Sequence, residues 1–202
     1  MIIKEYLENL YCATGLSSSY DRRKGLVLEM QTLEKESIHC FTCPGTCCTS
    51  QANSMQITPI EALEILQGLH LDSLSPPEIQ ELKKRLQDNI QNFRLNVEIY
   101  TGKKHSRDLR KTYTCPFFMN GSKGCGLSRG TKPYGCLGFN PKTNEDNGKS
   151  CASNTALLSE REALFIEKEN LANVKIKKDL NIYWDKLSIP QALLDILNKL
   201  YT

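Results

Sequence analysis

The chain has 202 residues, 40% of them hydrophobic and 24% charged, with 26 cationic against 23 anionic side chains. That length is enough to bury a core within a single domain spanning 1–202, and a charge balance of +3 excludes a polyanion partner recruited by net charge alone. No apolar run approaches the roughly 20 residues of a bilayer-spanning helix, and the opening Met1-Ile2-Ile3-Lys4-Glu5-Tyr6-Leu7-Glu8 is too acidic for an export signal, so a cytoplasmic protein without membrane contact is expected.

In chain order, Ile3, Leu7 and Leu10 share one helical stripe, and Leu26, Leu28, Met30 and Leu33 lie in a second amphipathic segment beyond Gly15 and the serines at 17 to 19. From His39 to Ser54 the composition turns to Cys, Thr, Pro, Gly and Ser, which predicts a tight irregular loop. Thr58-Pro59-Ile60-Glu61 is a helix start: a capping hydroxyl, a proline preset for the first turn, and a glutamate that reaches back to a free backbone donor. That helix should run to about Gly68. Ser75-Pro76-Pro77-Glu78 repeats the signal, and Ile79, Leu82, Leu86, Ile90, Phe93, Val97 and Tyr100 extend a long helix at spacings of three and four. The two helices read as a hairpin that joins the flanking cysteine-rich segments.

Residues 113 to 153 are glycine-rich and irregular, so ligands or side-chain packing must order them. Helix returns at Ser159-Glu160-Arg161-Glu162, and the last segment, from Pro190, carries Leu193, Leu194, Ile196, Leu197 and Leu200. Between them Tyr183 and Trp184 are expected to anchor the chain to the core. The fold class that follows is mainly α: a helical hairpin scaffold with two irregular cysteine-rich loops within a core of residues 39–153, and helical flanks at 1–38 and 155–202.

Nine cysteines are unusual for a chain expected in a reducing compartment, where structural disulfides rarely persist. Apart from Cys12, which sits beside Tyr11 on an amphipathic segment and reads as a packing residue, they form two groups of four. Cys40 and Cys43, two residues apart, can turn both sulfurs toward one ion from a short loop, as in zinc knuckles and iron–sulfur sites. Adjacent Cys47 and Cys48 diverge, so they suit two centres or two faces of a cluster. Cys115, Cys125, Cys136 and Cys151 stand ten, eleven and fifteen residues apart and must converge through the fold. Phe41, Phe117, Phe118, Tyr134 and Phe139 are candidates to shield such a centre from water. His39 reads as a loop histidine without a ligand role. Lys103, Lys104, His105, Arg107, Arg110 and Lys111 read as solvated cations at a helix carboxyl end, and the scarcity of stacking aromatics among them argues against nucleic acid.

In the order Cys40-x2-Cys43-x3-Cys47-Cys48, Thr58-Pro59-x-Glu61, Cys115-Pro116-Phe117, Cys125, Lys132-Pro133 to Cys136, and Cys151, the chain resembles the bacterial YkgJ-type cysteine-cluster family, CxxCxxxCC proteins described as zinc- or iron-chelating. The resemblance covers His39 to Cys151. It departs from the family pattern at Leu127-Ser128-Arg129-Gly130-Thr131 and at Leu137. It implies metal chelation by Cys40, Cys43, Cys47, Cys48, Cys115, Cys125, Cys136 and Cys151, with an iron–sulfur cluster or Zn as the cofactor. Thiolates suit both, and the proline after Cys43 and after Cys115 tilts the expectation toward iron–sulfur. Two functional classes follow: a metal-binding module that engages a protein partner, or an iron–sulfur redox or group-transfer enzyme, as relatives described as oxidoreductases or protein lysine methylases suggest. No dinucleotide fingerprint, phosphate loop or zinc-protease helix motif signals a second cofactor, which favours the module.

Overall fold

The structure is a computed structural model and describes residues 2–38, 45–97, 110–119, 124–141 and 151–201. It is mainly helical. α1 (Ile3–Thr14) buries Ile3, Leu7 and Leu10 and ends at Gly15, whose left-handed φ of 62° turns its amide back to the Cys12 carbonyl. α2 (Ser19–Lys35) starts where the Ser18 hydroxyl accepts from the Asp21 amide. Its buried face is Arg22, Arg23, Leu26, Val27 and Met30, whereas Leu28, expected on the apolar stripe, is 52% exposed. The inner face is therefore partly ionic, which an apolar periodicity cannot reveal.

α3 (Pro59–Gly68) and α4 (Pro76–Asn92) both begin in full capping boxes, Thr58 with Glu61 and Ser75 with Glu78. They follow one another through a 3₁₀ turn at Leu71–Ser73. α4 stops short of the predicted Tyr100. Arg94 takes a left-handed φ of 49°, its amide donates to Gln91, and the Leu95 amide donates to Ile90. This is a Schellman stop that folds Leu95 back under the core and leaves Val97 exposed.

α5 (Tyr134–Leu137) is a single turn in the glycine-rich region. α6 (Thr155–Asp179) starts a turn earlier than the serine at 159 predicted, because the Asn154 side chain caps it by accepting from the Leu157 amide. After α6, Trp184 is half-buried and donates Nε1–H to Asp195 at 2.9 Å, as an anchor should. Tyr183 is 83% exposed and anchors nothing in the core. α7 (Ile189–Leu200) buries Ile189, Ala192, Leu193, Ile196 and Leu197 and is the chief neighbour of both α3 and α4. Two minimal antiparallel ribbons complete the fold: β1 (Gln56–Ile57) with β4 (Leu187–Ser188), and β2 (Phe139–Asn140) with β3 (Ala152–Ser153).

The main core lies among α1, α3, α4, α6 and α7. A smaller one, Leu26, Val27, Met30, Tyr134 and Leu137, joins α2 to α5. The glycine-rich segments lie against these two cores. Among the described residues no helix is long and apolar enough to cross a membrane.

Candidate metal centre

Cys47 and Cys48 share one piece of local structure, and each other described cysteine of the site is held by its own. Cys47 and Cys48 occupy a 3₁₀ turn, Thr46–Cys48, closed by the Cys48 amide donating to Gly45 at 2.7 Å. Cys115 lies on a strap joined to that turn by its own amide, which donates to the Cys48 carbonyl at 2.7 Å. The strap is fixed by buried Tyr113, whose amide donates to Asn53 and whose hydroxyl donates to the Met55 carbonyl and accepts from the Ile189 amide. Asn89 of α4 donates to the Thr114 carbonyl at 2.8 Å. The capped helices thus set the height of Cys115.

Cys125 pairs with Phe118 in an antiparallel bridge, flanked by Met119 donating to Gly124 and Gly126 donating to Phe117. The Leu127 amide donates to the Cys125 sulfur at 3.5 Å. Cys136 sits on α5, whose first amide, that of Tyr134, donates to Glu61 Oε1 at 3.2 Å. Glu61 therefore serves both the α3 cap and the α5 start. Cys151 precedes β3 and enters the site through its pairing with β2.

Cys47, Cys48, Cys125, Cys136 and Cys151 line one cavity of about 240 Å³. A small recess of about 20 Å³ adjoins it and adds Cys115 to Cys47, Cys48, Cys125 and Cys136. Six of the eight expected ligands, from four distant stretches of chain, therefore surround a common space. Cys40 and Cys43, with His39 and Phe41, lie outside the described residues, as do Lys103, Lys104, His105 and Arg107. Cys12 is exposed on α1 and lines neither space. The cysteines surround the cavity without closing on one point: among the described residues no three histidine, cysteine or carboxylate side chains are close enough together to hold an ion.

Phe118 and Phe139 line the cavity as the expected shields. Phe117 packs in the main core beneath Arg85, and Tyr134 turns away into an ionic cluster. Of the basic run, Lys111 donates to the Arg94 carbonyl at the end of α4, as a helix-end cation would, while Arg110 lines the cysteine cavity.

Two polar residues border both spaces: Lys132, which the sequence marked only as part of a motif, and Asn53, which it did not single out. Lys132 is 9% exposed and borders both cysteine spaces. Asn53 is 6% exposed and borders both as well; its Nδ2 approaches the Tyr113 hydroxyl but meets no acceptor in good geometry among the described residues. A hydrogen bond from Cys48 and the Lys132 cation draw the Cys47 thiol down to about 7, against the opposing effect of burial. Cys48, the donor in that pair, is pushed up. Burial pushes Cys115 up to about 12 and also raises Cys136, with Lys132 opposing. Among the described residues no carboxylate lines either space. Thiols that outnumber the side-chain oxygens of Asn53, Ser54 and Ser153, with no carboxylate among the described residues and a buried cation alongside, fit a soft, thiolate-bound, anionic group better than a hard oxygen-seeking cation.

Behind the site lies a buried ionic cluster, also not evident from sequence. Arg22 pairs with Glu64 and, at 2.6 Å, with Glu169; Arg23 pairs with Glu64 at 2.7 Å; Arg161 pairs with Glu169. The Tyr134 hydroxyl donates to Glu169, and that of Tyr11 donates to Glu64. Arg23 Nε also donates to the Lys132 carbonyl at 2.8 Å, so the cluster positions the Lys132–Cys136 segment directly. One sequence signal was available: Arg22 and Arg23 each stand four residues before Leu26 and Val27, on the same helical face, and Glu64 interrupts an otherwise apolar Ala62–Leu66 run.

Comparison with known protein families, with characterised proteins and with solved structures finds no match to this chain.

Proposed function

We propose that this is a metal-binding protein whose cysteines hold an iron–sulfur cluster or zinc, and that its role is that of a metal-dependent module. The observation that carries this reading is the gathering of Cys47, Cys48, Cys125, Cys136 and Cys151 around one cavity, and of Cys115 at its adjoining recess, beside buried Lys132. Free thiols packed only as small hydrophobes would have no need of a shared cavity or of a buried cation.

Six to eight thiols exceed the four that one tetrahedral zinc, or one iron–sulfur cluster, takes, which favours two centres of either kind. Bound there, the group would supply a rigid cross-link between the 46–48, 113–118, 124–136 and 151–153 segments and, if it is iron–sulfur, a site for one electron. Lys132 would offset its negative charge, and Asn53 Nδ2 would have an acceptor.

The test is anaerobic purification followed by iron, zinc and acid-labile sulfide analysis of the wild type, Cys136→Ser and Cys12→Ser. The expected result is metal in the wild type, a marked loss in Cys136→Ser and full retention in Cys12→Ser. Wild-type protein without stoichiometric metal, or equal metal in all three, would refute the proposal.

A further inference from the structure

We infer that the outer face of α6 is a self-association surface that binds a second copy of this chain in antiparallel orientation. The inference is independent of the metal centre. α6 is 25 residues long, and its inward face carries the buried Glu169, Ala172 and Ile176. The opposite face carries Leu164, Leu171 and Val174, which are 66%, 59% and 67% exposed. Spacings of seven and three place these side chains on one stripe, the geometry of a two-helix seam. Single exposed apolar residues are ordinary on a protein surface, but three in register along one helix are not a scatter.

The occupant is identified by charge. On this face exposed Glu160 and Glu167 lie on the first half of α6, and exposed Lys168, Lys175 and Lys178 on the second, where Lys175 also pairs with Asp179 at 3.2 Å. Acidic residues early and basic residues late also suit the helix dipole, but that effect is confined to the end turns, whereas Glu167 and Lys168 adjoin at mid-helix. An antiparallel second copy satisfies the charge pattern and pairs the two leucines of the stripe, with Val174 falling opposite Arg161. With the two-fold axis between residues 167 and 168, Leu164 of one copy meets Leu171 of the other. Glu160 then faces Lys175, and Glu167 faces Lys168. A parallel pairing would oppose like charges along the whole seam. This is an isologous contact, so it closes at a dimer and leaves no open end. The seam is short, so the dimer should be weak and concentration-dependent.

Sedimentation equilibrium on the full chain tests this, with far-UV circular dichroism as the check on folding. The wild type should pass from monomer to dimer with rising concentration, and Leu164→Glu or Leu171→Glu should raise the Kd by about tenfold or more. Since these side chains are largely exposed, the helix itself should be unaffected. Glu160→Lys with Glu167→Lys should also abolish association, and adding Lys168→Glu and Lys175→Glu to that pair should restore it. Wild-type protein that stays monomeric at every concentration, a dimer indifferent to Leu164→Glu and Leu171→Glu, or failure of the fourfold charge exchange to restore association would overturn the inference.

Discussion

Glu64 is fully buried between Arg22 and Arg23 and accepts from the Tyr11 hydroxyl. Burial alone would raise its pKa, but Arg23 and Arg22 outweigh burial and hold it below the ordinary 4.5. A carboxylate whose folded pKa is depressed contributes stability that is complete above its unfolded pKa and is lost as pH falls through the lower folded value. Removing that charge leaves two buried guanidinium groups short of a partner, a change that typically costs about 3–5 kcal/mol. Glu64→Gln should therefore lower the urea midpoint sharply at neutral pH, and the gap from wild type should narrow as pH falls well below 4.5. A gap that stays constant across that range would mean the carboxylate charge is not what holds the cluster. Because Arg23 Nε also binds the Lys132 carbonyl, the same substitution should loosen the segment carrying Cys136.

The turn that presents Cys47 and Cys48 depends on its entry residue. Gly45 has a φ of 71°, and a Cβ added there would overlap the Phe118 ring. Phe118 is itself paired with Cys125, so the turn and the hairpin interlock through a position that tolerates no side chain. Gly45→Ala should cost more than the roughly 1 kcal/mol of an ordinary glycine replacement, because backbone strain and ring displacement add. It should also lower the metal content of the purified protein while far-UV circular dichroism is retained. Unchanged metal content and unchanged thermal midpoint would show that the turn does not set the site. The capped helices behave differently: α3 and α4 hold their starts through local capping boxes and need nothing from the site to form.

At the scale of the whole molecule, the helical core and the cysteine-rich segments have different sources of order. Ile57, Leu63, Leu66, Leu86, Leu193 and Ile196 are buried within a core whose buried members include, among the described site cysteines, only Cys115. The segments around the cavity are short of regular structure and are held by isolated bonds such as Cys115 to Cys48 and Gly126 to Phe117. Metal binding in small domains contributes on the order of 10 kcal/mol, and here that energy would act on the segments rather than on the helices. Stripping the metal with an external chelator should therefore leave far-UV circular dichroism nearly intact while amide exchange accelerates at Cys115, Gly126 and Leu137 and stays slow in α3 and α7. Uniform exchange before and after chelation would separate metal from the order of these segments.

Much of the helical architecture was legible in the sequence because its determinants are local. Proline-bearing capping boxes specified two helix starts, Gly15 specified an end, and three-and-four spacing marked the buried faces of α1, α4 and α7. The same spacing overran the end of α4, because Arg94 adopts a left-handed stop that residue type does not favour. Of the eight cysteines the pattern named, Cys47, Cys48, Cys115, Cys125, Cys136 and Cys151 border the cavity or its recess, and Cys40 and Cys43 lie outside the described residues. Tertiary structure alone decided what accompanies them. Lys132 and Asn53 turn inward beside the thiols, Tyr134 turns from shielding to an ionic cluster, and Arg22 and Arg23 are buried rather than solvated. The physical reason is that a charge is buried only where partners from other elements meet it, and Glu64, Glu169 and Tyr134 reach Arg22 from positions 42, 147 and 112 residues away.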